Sequence, residues 1–255
     1  PAADGKVELK YDPNAPRNWD TADLWEKLPG IACPVLVVAT YHHTMRLVDS
    51  HGHLPAKAFT DDAAAVYAQA LAAGLVRLMV PGFDAPTSIA GLSLARDLGV
   101  ITSVGFHPHV AAQVTPTDRE LLAGLVAEPL VRAIGETGLD YDRAFSPRGD
   151  QLDNLRWHID LARASGKPLI LHCRSRQGRR DAQDDLLREL RDAGVGTAAF
   201  AERFEDRPLG ILHSFSGPAD YAEAALALGC AVSISGLAFR RGEESTAEVA
   251  RLVPA

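Results

Sequence analysis

From residue 47 onward the chain repeats one unit: a short apolar run, a polar turn, then an amphipathic stretch of helical length. LVDSH (47–51) is followed by DDAAAVYAQALAAG (61–74), and LVRLMVPG (75–82) by PTSIAGLSLARDLG (86–99). VITSVGFHPH (100–109) is followed by TDRELLAGLVAE (117–128), where Thr117 and Glu120 have capping-box spacing. VRAIGETG (131–138) leads to RGDQLDNLRWHIDLARASG (148–166), and KPLILHC (167–173) to DAQDDLLRELRDAG (181–194). PLGILHSF (208–215) leads to ADYAEAALALG (219–229), and CAVSISG (230–236) is the last apolar run before a predicted helix start. Strands joined by helical crossovers lie parallel, so this alternation predicts an α/β fold built from βα units. Seven such strands are present. The expected fold class is a (β/α) TIM-type barrel, incomplete at its C-terminal end by one strand.

Residues 1–46 break the rhythm and form an atypical N-terminal segment; 47–255 form the barrel. The segment is polar and turn-rich, with one predicted helix in TADLWEKLP and one strand, IACPVLVVAT (31–40), before a connector, YHHTMR (41–46). That connector is too short for a parallel crossover, which takes a dozen or more residues. If this strand fills the barrel seam it is expected to run antiparallel; otherwise the sheet keeps an open edge.

The apolar runs end in chemistry. His51 and His53 close the first, Glu136 lies at the end of the fourth, and His172 and His213 end the fifth and sixth. In a parallel barrel such positions converge at one face, where divalent metal ligands are gathered. Residues two apart on a strand share a side, so His51 and His53 form a pair, with Asp49 on the same side. A carboxylate at the end of a buried strand needs a partner. For Glu136 that partner is either an arginine such as Arg132 or Arg174, or metal. In the metal reading Glu136 bridges two ions, one with His51 and His53, the other with His172 and His213.

His107 and His109 of GFHPH fit better as substrate-side groups, and Asp49, Glu136 and His107 are the candidate catalytic residues. His42 and His43 are expected at the surface, and His158, within a helix, away from the chemistry. Arg174, Arg176 and Arg179 in RSRQGRR directly follow His172. They make either a phosphate-binding rim, with Arg240 and Arg241 nearby, or a solvated loop. Tyr141 is a candidate for stacking on a base or sugar.

A formal net charge of −7 argues against a protein that coats nucleic acid with a broad basic face, while permitting a local basic mouth. Cys33, Cys173 and Cys230 have no paired spacing, and no apolar run approaches the ~20 residues of a membrane span. A reducing, cytoplasmic location and no membrane partner are expected; oligomeric state is open.

Taken together, DSHGH (49–53), GFHPH (105–109), GETGLDY (135–141), PLILHCR (168–174), HSFSG (213–217) and SISG (233–236) resemble the TatD family of metal-dependent hydrolases. The resemblance covers about residues 47–240. It implies one or two divalent ions per chain (Mg, Mn or Zn), phosphodiester hydrolysis of DNA, and His51, His53, Glu136, His172 and His213 as ligands. The family pattern has a further aspartate in an L-x-E-T-D segment, with no counterpart before Ala255. Glu243, Glu244 and Glu248 are poor stand-ins. Turnover below that of a relative carrying this aspartate is therefore expected, with the Glu136–His172–His213 half the better preserved. The alternatives are a related barrel hydrolase acting on an amide, lactone or phosphotriester, a metal-binding but inactive truncated barrel, and a fragment that needs a partner chain. Residues 1–40 do not resemble this family; LWEKLPGIACPVLVVAT resembles a segment late in α/β-hydrolase chains.

Overall fold

Helix caps and apolar strands set the element boundaries in the computed structural model, which describes residues 37–41, 44–56, 59, 62–204, 207–239, 241 and 243–252. The strands are β1 (Val37–Tyr41), β2 (Thr44–Asp49), β3 (Leu75–Val80), β4 (Ile101–Val104), β5 (Val131–Asp140), β6 (Leu169–Arg174), β7 (Gly210–Leu212) and β8 (Cys230–Val232). The helices are α1 (Ala63–Ala72), α2 (Ala85–Leu98), α3 (Pro116–Leu125), α4 (Arg148–Ser165), α5 (Asp181–Asp192), a short α6 (Ala198–Ala201), α7 (Ala219–Ala227) and α8 (Glu244–Leu252). Asp84 caps α2 in a reciprocal box with Thr87, and Gly99 ends it in the left-handed conformation. The cap of α3 is Thr115, paired with Asp118, rather than Thr117. Pro116 takes the first helical position, where its missing N–H costs nothing, and this moves the start two residues upstream.

The strands form one sheet in sequence order, β1 to β8. Strands β2 to β8 are parallel to their neighbours, and the helices between them make this a curled, TIM-type half-barrel. β1 runs antiparallel to β2 with Tyr41 opposite Thr44, the direction its short connection demands. The predicted connector is therefore partly strand: Thr44–Arg46 belong to β2. The N-terminal helix and residues 42 and 43 lie outside the described residues. Curling brings the two ends of the sheet together, and Ser50 Oγ beyond β2 lies 3.4 Å from Ser233 Oγ beyond β8.

The core is aliphatic. Leu122, Ile134, Leu139, Leu155, Ile159, Leu169, Leu171, Leu186 and Leu190 are each fully buried between the sheet and its helices. At ~1.5–3 kcal/mol per buried aliphatic side chain this layer is the main stabilising term. It leaves the strand ends free to carry polar groups. After β4 the chain turns into a 3₁₀ helix, Pro108–Gln113, so His109 sits in that turn and not on an extended strand.

Candidate metal centre

β5 carries the group around which the others assemble. Its pairing with β6 slips between Ile134 and Thr137, and the Glu136 amide leaves the ladder to donate to the Gly82 carbonyl at 2.7 Å. Gly138, at φ 130°, then lets β5 approach β6 so closely that a Cβ would overlap the His172 carbonyl. The slip aims the Glu136 carboxylate, which is buried, into the mouth of the half-barrel.

Its two oxygens face two groups of imidazoles. Oε2 lies 3.1 Å from His51 Nε2 and 3.8 Å from His53 Nε2, and these two nitrogens are 3.0 Å apart. Oε1 lies 3.1 Å from His172 Nδ1, 3.4 Å from His107 Nε2 and 3.6 Å from His213 Nε2. The rings of His51 and His213 stack at 3.4 Å, closing the two groups into one cluster. Glu136 has no arginine partner among the described residues. Arg174 donates to Asp142 at 2.9 Å, and Arg132 reaches the Pro129 carbonyl.

Charge follows from this geometry. Burial alone would raise the Glu136 carboxyl, but His51, His107 and His213 hold it well below the ordinary value. Burial, then the neighbouring His51, lowers His53 to about 4. Burial likewise lowers His107 to about 4, and His213 well below its ordinary value. His172 goes the other way: burial opposes its charge, but hydrogen bonds to Asp140 and Glu136 raise it to about 9.

The donor set fits divalent ions. His51, His53 and Glu136 form one group of converging ligand atoms, and Glu136, His172 and His213 form another. His213 Nδ1 is buried without a hydrogen-bond partner among the described residues, as expected of a ring whose orientation is set by more than protein contacts. All five sequence-predicted ligands are thus in one place. Asp49 takes a supporting position, with Oδ1 accepting the His51 amide at 2.9 Å.

His107 and His109 line the same mouth. His107 Nδ1 accepts the His109 amide at 3.1 Å, so a neutral His107 carries its proton on Nε2, toward Glu136. His158 is away from the chemistry but holds the loop that delivers it. Its Nε2 accepts the Phe106 amide at 3.0 Å, while Asn154 Nδ2 donates to the Phe106 carbonyl at 2.7 Å. Tyr141 turns outward: its hydroxyl donates to Asp185 at 2.7 Å and Arg148 covers its ring.

Arg174, Arg176, Arg179 and Arg241 line an open cleft of about 520 Å³ with Asp142, Gln183 and Ser216, formed by the segments that follow β6 and β7. Glu243 also lines it, accepting from Ser216 at 2.8 Å. Arg240 lies outside the described residues. Asp140 was missed by the sequence reading, although its signal was present. It stands four residues after Glu136 on the same strand, and its Oδ2 lies 2.7 Å from His109 Nε2 and 3.2 Å from His172 Nε2.

Comparison with known proteins places the whole barrel in one family. The family model described as TatD related DNase matches residues 48–255. The uncharacterized metal-dependent hydrolase YabD of Bacillus subtilis is 30% identical over 209 residues, covering 82% of this chain and 76% of the relative. A 3'-5' ssDNA/RNA exonuclease TatD of Klebsiella pneumoniae is 32% identical over 185 residues, covering 72% of this chain and 64% of the relative. The crystal structure of YJJV, a TatD homologue from Escherichia coli, matches with a TM-score of 0.61 at 27% identity, over 72% of this chain and 66% of that one. The chain thus spans between about two thirds and three quarters of the length of these proteins.

Proposed function

Because the chain belongs to the TatD family of metal-dependent hydrolases, we propose that it cleaves phosphodiester bonds of single-stranded nucleic acid at this centre. The observation that carries the reading is Glu136, a buried carboxylate with one oxygen toward His51 and His53 and the other toward His172 and His213. One ion would be held by His51, His53 and Glu136, and a second by Glu136, His172 and His213. Divalent ions in this position supply a water of lowered pKa and neutralise charge on the phosphoryl oxygens.

The protein's own groups do the rest. His107, at the substrate side, holds a proton at Nε2, 3.4 Å from Glu136 Oε1, and so helps to keep that carboxylate ionised. Phe83 stacks on its ring at 4.5 Å and fixes its plane. Asp49 orients the turn that presents His51 and His53 through the His51 amide. Arg176 and Arg179 give the flanking phosphates a cationic rim, whereas neighbouring Arg180 is taken up by Asp184 and Asp220. The relative named as a 3'-5' ssDNA/RNA exonuclease supports a single strand as substrate. No helix among the described residues is long and apolar enough to cross a membrane.

The test is degradation of a labelled oligonucleotide with Mg, Mn or Zn and with chelator. Cleavage that requires the ion is expected. Arg176→Ala with Arg179→Ala should raise KM several-fold and flatten the salt dependence by roughly 0.7 per lost phosphate contact. Ions bound without cleavage of any single- or double-stranded substrate would sink the proposal.

A further inference from the structure

We propose that Asp140 is the positioning residue that decides which nitrogen of His172 is offered to metal. The proposal rests on His172 being a ligand. Asp140 is fully buried at the end of β5, and both of its oxygens are committed. Oδ1 accepts the backbone amides of Asp142 at 3.1 Å and Arg143 at 2.8 Å. Oδ2 faces His172 Nε2 at 3.2 Å and His109 Nε2 at 2.7 Å. The backbone of Asp140 is fixed as well, because Gln151 accepts its amide at 2.7 Å and donates to its carbonyl at 3.1 Å.

An ionised carboxylate only accepts hydrogen bonds. An immobile one beside Nε2 therefore keeps a proton on that nitrogen. Nδ1, 3.1 Å from Glu136 Oε1, is then left to present its lone pair to an ion. Without Asp140 the ring is free to take the other tautomer, which has a proton where the ion belongs. The same oxygen also binds His109, so the carboxylate ties the ligand to the substrate-side loop.

A rival use of these groups is a third ion, because ligand nitrogens of His107, His109 and His172 lie within 4.8 Å of one another. The hydrogen bonds argue against it. His107 Nδ1 is occupied by the His109 amide, and the Nε2 atoms of His109 and His172 are both engaged by Asp140. An ion that used His107 Nδ1 or either of those Nε2 atoms would have to displace the interaction already made there.

The experiment is titration of the metal-free protein with Mn²⁺, by calorimetry and ion counting, for wild type, Asp140→Asn, His172→Ala and the double variant. Two sites are expected in wild type. Asp140→Asn should weaken one of them by about 10–100-fold and leave the other nearly unchanged. The double variant should bind no worse than His172→Ala, because Asp140 acts through that ring. Additive losses, unchanged affinities in Asp140→Asn, or a third ion that this variant alone removes would each overturn the proposal. If His172→Ala keeps both ions, the ligand reading itself fails, which is a separate result. Should Asp140→Asn not fold, ¹⁵N spectra of histidine in the Zn²⁺-loaded wild type give the answer. A proton on His172 Nε2 supports the assignment, and a proton on Nδ1 overturns it.

Discussion

On one side of Glu136, His51 and His53 arrive together from the single turn after β2, with His53 held neutral at pH 7 by burial and by its neighbour. On the other side, His172 and His213 arrive from two different strands, and His172 has the Asp140 carboxylate behind it. That carboxylate and Glu136 raise His172 to about 9, so in the metal-free protein it is charged at pH 7. One ring from each half, His53 in the first and His172 in the second, thus starts in the opposite protonation state from the other. The first of these rings meets an ion without losing a proton. The second must first give up a proton, and it gains a fixed ring orientation in exchange.

The largest effect should come from the group the halves share. Glu136→Gln is expected to lose both ions and to cut kcat/KM by about 10³-fold, the upper range for a single electrostatic group. One ion retained at full affinity would show that the halves do not depend on a common carboxylate. Next, His53→Ala and His172→Ala should each remove one ion, with losses on the order of 10²-fold in kcat/KM. Ion counts that fall together in either variant would erase the distinction between the halves.

Proton release separates them without mutation. At pH 7.5, calorimetry in buffers of different ionisation enthalpy should find about one proton released when the His172 half fills, and none from His53. The metal-free protein should also change stability with pH in a set direction. His172 is raised above its ordinary value of 6.5, so its contribution is complete below that pH and is lost as pH rises through about 9. Glu136 is lowered, so its contribution is complete above 4.5 and is lost as pH falls below it. A melting temperature that rises between pH 7.5 and pH 10 would contradict the His172 assignment. The smallest effect is expected at Asn154→Ala, which leaves the buried Phe106 carbonyl without its side-chain donor. A loss of about 1–3 kcal/mol in denaturant unfolding is expected, with the metal count unchanged.

The site was legible where residue type and strand parity act locally. His51 and His53 are two apart at a strand end, and His172 and His213 each close an apolar run, so convergence needed only the barrel geometry. The slip at Gly135–Glu136 was not legible, because it depends on how closely β5 approaches β6 and the loop after β3. The place of Tyr141 after GLD makes it a candidate for stacking but says nothing of its partners. Its hydroxyl is engaged by Asp185 of α5, a partner 44 residues away in the chain. The helical position of His158 gives no hint of its hold on Phe106, 52 residues away in the chain, which depends on α4 packing beside the segment after β4.

What the sequence determined by itself was the parallel α/β order, through periodicity, the family, through its motifs, and the five residues that converge, through strand-end placement, because these are properties of short segments. Only the tertiary structure decided that His172 begins protonated. That state is set by Asp140 and Glu136 standing on opposite sides of one imidazole, each about 3 Å away. Interaction energies at such separations change steeply with distance and burial, and neither is written in the order of the residues.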